Sequence, residues 1–110
     1  MRALVLKEIG RIDHLSPEEI QEPTPGDNEV LIETRAIGLN FPDLLVIEGK
    51  YQVLPPLPFS PGKELAGVVK STGAQVSHLK PGARAMALVE YGACAERVVA
   101  PATNCYPVPD

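Results

Sequence analysis

Gly38-Leu39-Asn40-Phe41-Pro42-Asp43, Gly49-Lys50-Tyr51 and Pro58-Phe59-Ser60-Pro61-Gly62-Lys63-Glu64-Leu65-Ala66-Gly67-Val68-Val69 follow one another within residues 38–69 and hold the chain's densest set of turn formers, polar groups and aromatic side chains. Asn40 is a preferred helix N-cap, and Asp43 falls in the positive first turn of a helix begun there. Leu44, Leu45 and Ile47 supply its expected buried stripe, and Gly49 stops it. Residues 54–62 then carry four prolines. A central strand needs backbone donors that proline lacks, so this segment is predicted to be an ordered, extended loop. From Glu64 to Lys70 a strand follows, with Gly67 placed for a bulge or a close backbone approach.

Working outward, strands are predicted on both sides. Met1 to Glu8 carries a mostly apolar run that ends at Gly10 and suits a strand with a turn after it. Residues 15–25 hold Pro17, Pro23 and Pro25, leaving room for a short edge strand at Glu18 to Glu22. After the Pro25-Gly26-Asp27-Asn28 turn, Val30, Ile32, Thr34 and Ala36 alternate with Leu31, Glu33 and Arg35, the period-2 pattern of a half-buried strand. Beyond the turns at Ser71–Gly73 and Lys80-Pro81-Gly82, strands are expected over Ala83–Val89 and Ala93–Val99. Six or seven short strands with turns every eight to twelve residues predict a mainly β fold, a partly open β-barrel with one or two short helices.

Composition limits the function classes. The 110 residues are 45% hydrophobic, enough for one domain that buries roughly 65% of its unfolded surface. Twelve prolines, about twice the ~5% average, and nine glycines act as punctuation between apolar runs. A net charge of -4 without a basic stripe argues against nucleic acid as a partner. No apolar run reaches the ~20 residues that cross a bilayer, and the start Met1-Arg2-Ala3-Leu4-Val5-Leu6-Lys7 is too soon interrupted for a signal peptide. A cytoplasmic protein with no membrane partner is expected. Cys94 and Cys105 lack the paired spacing of structural zinc sites and are expected to be buried, reduced thiols.

The joint spacing of Gly38-Leu39-Asn40-Phe41-x-Asp43, Gly49-x-Tyr51, Pro58-Phe59-x-Pro61-Gly62-x-Glu64-x-Ala66-Gly67-x-Val69, Gly73, Val76, Gly82 and Gly92-x-x-Ala95-Glu96 resembles the medium-chain dehydrogenase/reductase superfamily. Within it the chain is similar to the zinc-free quinone oxidoreductase, or zeta-crystallin-like, branch. The resemblance implies a GroES-like catalytic domain over residues 1–110, working beside a Rossmann nucleotide-binding domain absent from these residues. No Gly-x-Gly-x-x-Gly occurs in the sequence, so a longer enzyme is expected, with NADPH anchored mainly outside this chain. A homo-oligomer is expected as well.

Zinc-dependent members of the superfamily carry a cysteine where this chain has Asn40 and a histidine where it has Lys63. A carboxamide is a poor zinc ligand and an ammonium is none, so no metal is expected. By resemblance, Asn40 and Tyr51 lie near the nicotinamide and the substrate, with Lys63 as a hydrogen-bond donor or cleft charge. A quinone or conjugated enone accepts hydride readily and needs mainly positioning and a donor. Other readings stay open: Asn40 as a helix cap, Tyr51 as packing against the proline loop, Lys63 as surface charge, Asp43 and Glu64 as structural carboxylates. A metal site from Cys94, Cys105, His14 and His78 would need distant segments to converge. For the whole protein the implied activity is NADPH-dependent reduction of a quinone or enone. The alternatives are a non-enzymatic GroES-like binding module, an enoyl-thioester reductase domain, or a zinc-free alcohol dehydrogenase-like protein. The face bared without a Rossmann domain is expected around Leu44, Ile47 and the Leu54–Phe59 loop.

Overall fold

The computed structural model describes residues 1–109. Seven strands are found among them: β1 (Arg2–Leu6), β2 (Leu15–Glu19), β3 (Glu29–Gly38), β4 (Glu64–Thr72), β5 (Arg84–Leu88), β6 (Arg97–Pro101) and β7 (Cys105–Pro107). One α-helix, α1 (Phe41–Ile47), and 3-10 turns at Ile12–His14 and Ala102–Asn104 complete them. A five-stranded antiparallel sheet runs β6-β3-β4-β5-β7, and β1 and β2 form a separate ribbon. The ribbon closes onto the sheet through the Leu4 N–H, which donates to the Cys94 carbonyl at 2.9 Å, and the Glu96 N–H, which donates to Arg2 at 3.1 Å. The result is the expected mainly β, partly open GroES-like barrel.

The interior follows from alternation on facing strands. Val30 and Ile32 of β3, Leu65 and Val69 of β4, and Val98 and Ala100 of β6 all lie at or below 4% exposure. Burying the Val, Ile and Leu side chains among these contributes about 1.5–3 kcal/mol each relative to leaving them in water. The alternation predicted for β3 does not run its full length. Leu31 is buried too, and Ala36 is exposed. Of two register irregularities between β3 and β4, the one at Leu31/Ile32 puts its extra residue, Lys70, on β4, whereas the one at Thr34/Ala36 puts Arg35 on β3 and reverses which face follows it there. Gly67 pairs with Thr34 at the second irregularity, where a Cβ would stand 2.0 Å from the Glu33 carbonyl oxygen. The close approach expected at Gly67 is therefore real.

Three other expectations are corrected. The second strand is Leu15–Glu19 rather than Glu18–Glu22, and it includes Pro17 opposite Leu4. As the outer strand of a two-stranded ribbon it can lose one donor without breaking a central ladder. The strand expected over Ala93–Val99 is Arg97–Pro101, and β7 was not anticipated. Helix α1 has the expected period, but its phase is shifted by one residue. Asp43, Val46 and Ile47 are buried, while Leu44 is 41% exposed. Val46 and Ile47 pack with Leu6 and Phe59 in a second cluster that fastens the helix to β1. Ile47 and Phe59 are consequently core residues, while Leu44, Leu54, Pro56, Leu57 and Pro58 of the apolar face expected there stay exposed.

Candidate functional site

Helix α1 positions one half of the site. The Asp43 carboxylate accepts the Asn40 backbone N–H at 2.8 Å, and the Asp43 N–H donates to the Asn40 carbonyl at 3.0 Å. In this capping box the arm from the Asn40 side chain is the loose one, so Asp43 holds the turn and the exposed Asn40 carboxamide is lightly committed. Asp43 is thus a structural carboxylate, as the sequence suggested.

Behind the cap lies an apolar cavity of about 450 Å³ whose wall includes Leu4, Ile37, Leu39, Asn40, Asp43 and Cys94. Burial, and secondarily the nearby Asp43 charge, push the Cys94 thiol above its usual pKa and keep it protonated. The Cys94 segment is held from below. The Ser60 hydroxyl donates to the Cys94 carbonyl at 3.0 Å, and the Cys94 N–H donates to Pro61 at 2.9 Å. Gly62 has φ +103°, and a Cβ there would come within 2.9 Å of the Ala93 side chain, so the turn before Lys63 requires glycine. Cys94 had no signal in the sequence marking it as a wall residue; its place follows from the packing of residues 92–95 on this turn.

The other half of the site stands at the far end of α1. Gly49, at φ +76°, ends the helix, and its N–H donates to Val46 at 3.1 Å. Tyr51 follows, half-buried against the Leu6–Phe59 cluster. The Lys63 ammonium sits 4.7 Å from the centre of the Tyr51 ring and donates to the Glu90 carbonyl at 2.7 Å. Tyr51 and Lys63 are therefore in contact. Asn40 groups with Asp43 and Cys94 in the wall of the apolar cavity. The Glu64 carboxylate lies across Gly38, beside a second groove that includes Met86, Leu88 and Tyr106.

Among the described residues, no three His, Cys, Asp or Glu side chains converge in an arrangement that could hold a metal ion. His14 Nδ1 is 3.2 Å from the Glu8 carbonyl and His78 Nε2 is 3.1 Å from the Cys105 carbonyl, each occupied locally. No helix among them is long and apolar enough to cross a membrane.

Residues 26–110 match the alcohol dehydrogenase GroES-like domain. The human synaptic vesicle membrane protein VAT-1 homolog is 40% identical over 112 residues, covering 100% of this chain and 28% of that protein. The crystal structure of the human VAT-1 homolog-like protein superposes with a TM-score of 0.96 at 40% identity, over 100% of this chain and 35% of that one. Escherichia coli quinone oxidoreductase, solved in complex with NADPH, superposes with a TM-score of 0.93 at 30% identity, over 99% of this chain and 33% of that one. The chain thus spans between about a quarter and a third of these relatives' lengths. It belongs to the alcohol dehydrogenase GroES-like domain family, within the medium-chain dehydrogenase/reductase superfamily.

Proposed function

We propose that this chain is the acceptor-side catalytic domain of a zinc-independent, NADPH-dependent reductase of quinones and conjugated enones. The observation that carries the reading is the state of Lys63. It stands where zinc-dependent members place a histidine ligand, and its ammonium is already engaged by the Tyr51 ring and the Glu90 carbonyl. With a carboxamide at Asn40, the donor set does not suit zinc.

NADPH, when bound, supplies the hydride. The residues of this chain fit only its nicotinamide end. Helix α1 has seven residues and opens on Phe41-Pro42, without the glycine turn that a pyrophosphate needs. A segment outside these 110 residues is the expected anchor. The Asn40 carboxamide orients the nicotinamide side of the cleft, and the apolar cavity wall keeps water from it. The Tyr51 hydroxyl donates a hydrogen bond to the acceptor oxygen as negative charge grows there. Quinone plus hydride and one proton taken up from solvent gives the hydroquinone, and because a quinone already accepts hydride readily, positioning and a hydrogen-bond donor suffice. The NADPH complex of the Escherichia coli quinone oxidoreductase supports the choice of cofactor.

The test is NADPH oxidation by the full-length protein with quinone and enone acceptors, together with elemental analysis. Acceptor-dependent oxidation, a reduced kcat/KM in Tyr51→Ala with the fold intact, and negligible zinc are expected. An inactive protein, or an activity that requires about one zinc per chain, would overturn the reading. A second reading, a non-enzymatic binding module, draws on a row of side chains in register across four strands, exposed Ala36, Met86 and Tyr106 with half-buried Ala66 between them. The same assay separates the two.

A further inference from the structure

We propose that Lys63 is a positioning residue that sets the plane of the Tyr51 ring and thereby governs acceptor binding; this rests on the reductase reading above. Tyr51 lies past the end of α1 in a stretch of bends, where no backbone ladder orients it. One side of the ring packs on the Leu6, Val46, Ile47 and Phe59 cluster. The Lys63 ammonium, 4.7 Å from the ring centre, supplies the second restraint.

Lys63 can act as a strut because it is held at both ends. Its carbonyl accepts the Val89 N–H at 2.8 Å, and its ammonium donates to the Glu90 carbonyl at 2.7 Å. The next residue, Tyr91, meets the edge of Phe59 with ring centres 6.0 Å apart and planes at 73°. Phe59 belongs to the cluster that supports Tyr51, so the contacts close a loop through Tyr51, Lys63, Glu90, Tyr91 and Phe59. The charge is the essential feature, because the negative face of an aromatic ring attracts a cation and not a neutral chain of equal length. An ammonium committed to a ring and a carbonyl is badly placed to bind the acceptor itself. Lys63 therefore acts through Tyr51.

A double-mutant cycle in the full-length enzyme tests this. Lys63→Met is expected to lower kcat/KM for the acceptor by about two- to fivefold, the range of an exposed cation–π contact. The loss should appear as a raised acceptor KM, with the KM for NADPH unchanged. Lys63→Arg should restore most of it, since a guanidinium also stacks on aromatic faces. Placed in a Tyr51→Leu background, Lys63→Met should add no further loss. A readout independent of activity is the NMR shift of the Lys63 ε-methylene, expected upfield from the Tyr51 ring current, retained in Tyr51→Phe and abolished in Tyr51→Leu. The two conservative variants keep the test usable if Met or Leu impairs folding. Losses that simply multiply in an active enzyme, or a methylene shift indifferent to Tyr51→Leu, overturn this role alone. A folded protein that reduces no acceptor overturns the reductase reading and this role with it.

Discussion

Asp43 and Asn40 are joined by a 2.8 Å hydrogen bond in which a carboxylate only 5% exposed accepts the backbone N–H that starts α1. The acid on the buried face of the helix is what holds its first turn. Asp43→Ala is expected to destabilise the protein by about 1–3 kcal/mol, because it removes the cap and leaves a part-buried donor unmade. Thermal unfolding followed by circular dichroism should show a Tm lower by roughly 4–8 °C per kcal/mol. Asp43→Asn, which keeps an acceptor oxygen, should lose less. Equal Tm values for wild type and Asp43→Ala would show that the cap is unimportant.

Gly67 and Gly38 separate two kinds of crowding. A Cβ on Gly67 would lie 2.0 Å from the Glu33 carbonyl oxygen, which is backbone in the middle of the β3–β4 ladder and cannot yield. A Cβ on Gly38 would lie 1.9 Å from Glu64 Oε1, the mobile end of a side chain. Gly67→Ala is expected to cost about 1–3 kcal/mol or more and Gly38→Ala clearly less. Urea unfolding of both variants measures the order, and the reverse order would refute the account.

Burial pushes the Cys105 thiol from its ordinary 9.0 up to about 11, and its hydrogen points to the Pro101 carbonyl 3.3 Å away. The folded state binds this proton more tightly than the unfolded chain does. The stability this contributes is complete below about pH 9 and is lost as pH rises to about 11. Cys105→Ala should therefore flatten the fall in unfolding free energy between those pH values, although the substitution itself lowers stability at neutral pH. Identical alkaline slopes in the two proteins would contradict this assignment.

The isolated 110-residue chain is expected to self-associate and to bind NADPH weakly at best. Met86 and Leu88 are 50% and 51% exposed, and Tyr106 is 45% exposed beside them. Contiguous apolar surface of this kind seeks cover. Without a pyrophosphate anchor, contacts at the nicotinamide end must alone overcome an association cost of roughly 4–15 kcal/mol. Sedimentation should show oligomers that Met86→Lys with Leu88→Lys returns toward monomer. A monomer with micromolar NADPH affinity by calorimetry would overturn both halves.

What the sequence by itself determined was local. The residue pattern named β3 as a strand, Gly67 marked a close strand approach, Gly49 ended the helix, and the prolines of residues 54–62 excluded a central strand. The joint spacing around residues 38–69 was specific enough to place the chain in its superfamily. These features were legible because dihedral preference and side-chain period act over a few residues.

The tertiary structure decided phase and partnership. Which face of α1 turned inward depended on Leu6 and Phe59, and an acid could join that face because its carboxylate turns back onto the Asn40 N–H. Pro17 could sit in a strand only because β2 is an outer strand. The contact of Lys63 with Tyr51, and the presence of Cys94 beside Asn40 and Asp43, required segments far apart in the chain to pack on one another. Neither is encoded in spacing, since a side chain's partner across the fold is set by how whole elements dock, an outcome of the summed packing of the core rather than of any local pattern.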